Sequence, residues 1–66
     1  IYPNPVNNIL FVEVKEAAKA EIYTITGTKI TEKTLQKGIN QLEVSDLQKG
    51  VYIIKVNNST FKIIKK

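Results

Sequence analysis

The segment Val51-Tyr52-Ile53-Ile54-Lys55-Val56-Asn57-Asn58-Ser59-Thr60-Phe61-Lys62-Ile63-Ile64-Lys65 decides the architecture. Two runs rich in β-branched and aromatic residues flank a short polar stretch, and Asn tolerates the left-handed geometry of a tight hairpin. Val51 to Val56 is the most apolar run of the chain, with Tyr52, Ile54 and Val56 on one face. Thr60 to Lys65 closes the chain as a partner strand carrying Phe61, Ile63 and Ile64.

The same alternation extends towards the N-terminus. In Ile9 to Val14, Leu10, Val12 and Val14 share one face, assigned to the core, and Ile9, Phe11 and Glu13 the other. Lys15 to Ala20 has helical propensity but is too short to stand alone, which predicts a connection with at most one helical turn. Lys19 to Ile25 separates Ala20, Ile22 and Thr24 from Glu21, Tyr23 and Ile25. Thr26-Gly27-Thr28 then turns, with Gly27 free to take positive φ. Lys29 to Leu35 is mostly polar, with Ile30 its clearest anchor, and reads as an edge strand. Gln36-Lys37-Gly38 reads as a second hairpin turn. Ile39 to Val44 follows with Leu42 and Val44 inward, and then an irregular loop around Leu47. At the start, Ile1-Tyr2 fits a short edge strand and Pro3 to Asn8 a stiff connection, with Tyr2 and Val6 packing onto the domain. About seven short strands with frequent turns indicate a small all-β sandwich or barrel.

Composition agrees. Ile, Val and Thr make up 22 of 66 residues, a length that suits one domain with a thin core. The chain contains no Cys, His, Met, Trp or Arg. That excludes Ser-His-Asp and Cys-His nucleophilic sites, thiolate zinc sites and the usual haem ligation. No disulfide can form, and no apolar run approaches a membrane span. Ten lysines against six acids give a net charge of +4. The lysines are dispersed along strands and only Lys62, Lys65 and Lys66 cluster, so a basic β-barrel that binds nucleic acid is disfavoured. The chain starts at Ile1 and carries no signal peptide, so it reads as a piece of a longer protein, with Lys66 as its natural end.

No constellation carries catalysis. Glu13, Glu16, Glu21, Glu32, Glu43 and Asp46 are scattered and form no dyad by spacing. Ser45 and Ser59 have no activating base, and Gly27, Gly38 and Gly50 lie in separate turns rather than in a phosphate loop. Asn58-Ser59-Thr60 matches a glycosylation acceptor, but reads better as a hairpin turn. Leu47-x-x-Gly50-x-Tyr52 resembles a tyrosine corner, in which the hydroxyl returns to the backbone of the preceding loop. That gives Tyr52 a packing role. No cofactor and no enzyme activity are expected.

These pieces together resemble the C-terminal sorting domain of the type IX (Por) secretion system of Gram-negative bacteria, type A. The resemblance spans the chain. It runs through Tyr2-Pro3-Asn4-Pro5, Ile9-Leu10-Phe11-Val12, and Glu21-Ile22-Tyr23 followed by Gly27. It continues through Asp46-Leu47-x-x-Gly50-Val51-Tyr52 and the lysine-flanked end Phe61-Lys62-Ile63-Ile64-Lys65-Lys66. The chain departs from the family pattern at Thr24-Ile25-Thr26, where an Asn commonly follows the Tyr, and at Thr28, where Gln is frequent.

The resemblance implies an immunoglobulin-like β-sandwich at the end of a larger secreted protein. A passenger precedes it, crosses the periplasm, and is exported by the outer-membrane machinery to the cell surface or beyond. A sortase-like peptidase usually removes the domain. Tyr2, Pro3, Asn4, Pro5, Gly27, Leu47, Gly50 and Tyr52 then serve mainly structural roles. Ile63, Ile64, Lys65 and Lys66 are the candidate recognition residues, with Lys65 and Lys66 expected to bury little. The competing reading is an immunoglobulin-like or fibronectin-like adhesion or carbohydrate-binding module. It calls for exposed aromatics, whereas Tyr2, Phe11, Tyr23, Tyr52 and Phe61 all have packing roles available, Phe11 least clearly because it falls on an outward face.

Overall fold

The structure is a computed structural model that describes residue 2 and residues 5–66. The expectations for Ile1, Pro3 and Asn4 lie outside the described residues. Among those described, six strands run in order: β1 (Ile9–Val14), β2 (Ala18–Thr24), β3 (Lys29–Leu35), β4 (Gly38–Glu43), β5 (Gly50–Val56) and β6 (Ser59–Lys65). They form two antiparallel sheets, β1-β4 and β3-β2-β5-β6. The inward residues of both sheets meet in one core that includes Leu10, Val12 and Leu42 from the small sheet, Val44 just after it, and Ala20, Ile22, Leu35, Ile54, Val56 and Ile63 from the large one. Burying each Leu, Ile or Val fully contributes about 1.5–3 kcal/mol. The all-β sandwich read from the alternation is the fold observed.

The hairpin that decides the fold forms, with a turn one residue shorter than expected, because Ser59 already belongs to β6. Val56 pairs with Ser59 across Asn57 and Asn58, and Asn57 adopts φ 52°. At the β2–β3 turn Gly27 sits at φ 99°. Lys15 to Ala17 form a bend without a helical turn, and β2 begins at Ala18.

Several expectations change. The seventh strand reduces to one antiparallel bridge between Tyr2 and Phe11. Gln36-Lys37-Gly38 does not close a hairpin, because β3 and β4 belong to different sheets. The turn is an arch between layers. Asn40 braces it by accepting from the Gln36 amide (2.9 Å) and donating to the carbonyls of Gln36 (2.8 Å), Gly38 (3.2 Å) and, across the small sheet, Val12 (3.3 Å). Edge strand β3 is anchored by fully buried Leu35, not by Ile30, which is 40% exposed. A bulge opposes Ile22 to Thr31 and Tyr23 to Lys29, so Ile30 has no partner in the ladder.

The small sheet has two strands and the large one four, so the flanks of the large sheet overhang. Phe61 pairs with inward Ile54 yet remains 42% exposed. It lines a cleft of about 480 Å³ with Val12, Val14 and Val56. Lys33, from β3, reaches over to donate to the Gln41 carbonyl of edge strand β4 at 2.7 Å, which blunts that edge.

Candidate recognition surface

The N-terminal segment touches both sheets, Tyr2 at β1 and Val6 at β6. Tyr2 and Phe11 exchange backbone hydrogen bonds (3.0 and 2.7 Å), and their rings stack with centroids 5.4 Å apart. Phe11, on the outer face of the small sheet, thereby gains a packing partner. Four residues later the strap crosses to the other sheet. The Val6 amide donates to the Ile64 carbonyl and the Lys66 amide donates to Val6, both at 2.8 Å. Val6 itself is fully buried, so the start of the domain is pinned as its sequence predicts.

The four candidate tail residues divide by strand alternation. Ile63 is fully buried in the core. Lys65 follows on the same inward face and is only 8% exposed, which corrects the expectation that it buries little. Its ammonium donates to the Lys66 carbonyl at 3.0 Å, so the stem packs while the charge reaches a polar partner. Ile64 and Lys66 face outward and are exposed. A partner that approaches the folded domain from outside therefore meets Ile64 and Lys66 rather than Ile63.

The motif residues hold the start of β5, the end that pairs with the tail. The Tyr52 hydroxyl donates to the Gln48 carbonyl at 2.7 Å, the tyrosine corner read from the sequence. Leu47 packs against the core beneath that loop, and Gly50 opens β5 opposite Lys65. Pro5 is exposed beside the buried Val6, whereas Pro3 and Asn4 lie outside the described residues.

The outer face of the large sheet has two halves. Towards edge strand β3, Lys29 contacts Glu21 (2.9 Å) and Glu32, and Lys19 contacts Glu32 (3.0 Å). The Lys29 hydrogen bond holds the Glu21 carboxyl below its ordinary range, against partial desolvation, and Lys29 followed by Lys19 does the same for Glu32. Glu32 and then Glu21 raise Lys29. Desolvation first, and then the Glu21 hydrogen bond, raise Tyr23. Towards β6 the face turns apolar. Val51 lies opposite Ile64, and Ile53 lies between Tyr23 and Lys62.

The sequence reading does not identify this apolar half, the ion-paired ladder or the role of Asn40. Its signal is present in Val51-Tyr52-Ile53-Ile54, where apolar residues occupy both faces of one strand. The ladder depends on register, which strand-by-strand reading does not supply.

Among the described residues no group of His, Cys, Asp or Glu side chains converges as a metal site, and no helix is long and apolar enough to cross a membrane.

Comparison with known proteins adds a family. The model of the secretion system C-terminal sorting domain matches residues 1–66. Beta-agarase D of Zobellia galactanivorans is 29% identical over 66 residues, covering 98% of this chain and 13% of the relative. The chain thus spans about one eighth of that protein's length. No solved structure gives a significant match.

Proposed function

Because the chain belongs to the secretion system C-terminal sorting domain family of type IX secretion, we propose that residues 1–66 are the C-terminal part of a larger secreted protein and act as its export address. In this reading a passenger precedes Tyr2. It reaches the periplasm separately and is then carried across the outer membrane, to the cell surface or the medium, because the secretion apparatus recognises this domain. A sortase-like peptidase then removes the domain. The family is one of sorting signals rather than enzymes, which accords with a chain without His or Cys.

The observation that carries the reading is the family match over the full chain. The short coverage of the agarase supports the role of one module of a larger protein. The strap from Tyr2 to Val6 supports it as well, since a passenger joined upstream would pull on a segment tied into both sheets. The test is a fluorescent protein with a signal peptide, fused ahead of residues 1–66 in a host that has the secretion system. Export to the surface or medium is expected. Retention in the periplasm, while a known sorting domain exports the same reporter, overturns the reading.

A further inference from the structure

We propose that the outer face of the four-stranded sheet, centred on Ile64, Val51 and Ile53, is where the secretion apparatus docks, through an apolar protein surface rimmed by carboxylates. The proposal rests on the sorting reading and assigns its recognition surface.

A solvated sheet face normally alternates to polar side chains. Here Ile64 is 42% exposed and Val51, directly opposite, 37%. The core does not need these side chains outside, because Ile54, Val56 and Ile63 already fill the inner face. Contiguous exposed apolar residues of this kind mark interaction sites.

Charge selects the partner. The two acids on this face, Glu21 and Glu32, are engaged by Lys29 and Lys19 at the β3 side. Around the apolar half the exposed charged side chains are Lys62, Lys66 in the same alternation as Ile64, and Lys55, whose cross-strand neighbour is the ion-paired Glu21. That rim complements carboxylates and repels cations. The outer face of the small sheet is the opposite case. It also exposes Ile9 and Ile39, but beside Glu13 and Glu43. An acidic partner is therefore directed to one side of the sandwich.

The experiment uses the reporter fusion and three variants: Ile64→Asp, the double Lys55→Glu/Lys62→Glu, and Ile39→Asp on the opposite face. Thermal melts accompany each. Losing a central anchor typically weakens an interface by about tenfold or more. Export is expected to fall by about that factor in Ile64→Asp and in the charge-reversed double, with melts near the parent, and to persist in Ile39→Asp. If Ile64→Asp melts far lower, the double variant decides alone. Normal export of the folded variants, or an equal loss in Ile39→Asp, overturns the proposal. So does sedimentation showing that residues 1–66 self-associate through a contact that Ile64→Asp abolishes, since a second copy then covers the face. A parent fusion that is not exported refutes the sorting reading, and this surface with it. That result is distinct from an exported parent whose variants are also exported.

Discussion

The Tyr52 hydroxyl donates to the Gln48 carbonyl at 2.7 Å, tying the first turn of β5 to the loop that leads into it. The loop from Ser45 to Lys49 has little regular structure, and Leu47 is its apolar anchor. The bond therefore orders a segment that local propensity leaves loose.

Tyr52→Phe removes this bond while keeping the ring. The Gln48 carbonyl lies near solvent and recovers a water partner, so the expected loss is about 0.5–1 kcal/mol. In a domain of this size that corresponds to about 4–8 °C of melting temperature per kcal/mol. A melt identical to the parent's would show that the hydroxyl contributes nothing.

Asn40 carries more. One side chain satisfies both ends of the arch between β3 and β4 and reaches the Val12 carbonyl of β1. Asn40→Ala is expected to cost about 1–3 kcal/mol, because it strands several backbone groups of a partly buried turn. Asn40→Asp retains the acceptor for the Gln36 amide but turns a carboxylate oxygen towards the carbonyls of Gln36, Gly38 and Val12, so it should be no more stable than Ala. Denaturant midpoints for the three proteins give the order, and an Asp variant close to the parent would contradict it.

Strand positions are legible in the sequence because alternation is local. Leu10, Val12, Leu42, Val44 and Ile54 point inward as their spacing requires. The arch is not legible, because Gln36-Lys37-Gly38 satisfies the chemistry of a hairpin equally well. Only the pairing of β4 with β1 distinguishes the two, and that is set by long-range burial. Ile30 misleads for a related reason: the bulge at Ile22/Tyr23 shifts the register and leaves Leu35 as the anchor. For the candidate tail residues, the face that each one takes is not legible. The inward turn of Lys65 depends on which side of β6 meets the core.

The ladder of Lys19, Glu21, Lys29 and Glu32 predicts an acid-side response. Both carboxyls are held below their ordinary value of 4.5 in the folded state. A depressed folded pKa contributes stability that is present above the unfolded value and is lost as pH falls through the folded one. Melts should therefore decline as pH drops below about 4.5, and Glu32→Gln should flatten that decline. High salt should weaken it as well, since the pairs are solvent-accessible. An acid-side slope unchanged in Glu32→Gln would show that the ladder does not contribute.

Coupling between the two ends of the chain gives the last prediction. Removing Lys65 and Lys66 takes away a buried side chain and the amide that bonds Val6, so the domain should lose about 1–3 kcal/mol. Lys66→Ala keeps that amide and should change stability by no more than about 0.5 kcal/mol. Val6→Ala leaves a cavity at a fully buried position and should cost about 2 kcal/mol. The three changes separate side-chain charge from the backbone strap. If the strap is one cooperative unit, Val6→Ala combined with the two-residue deletion should cost less than the sum of its parts, because either change alone already loosens the other. Full additivity in denaturant melts would mean that the two ends touch without stabilising one another.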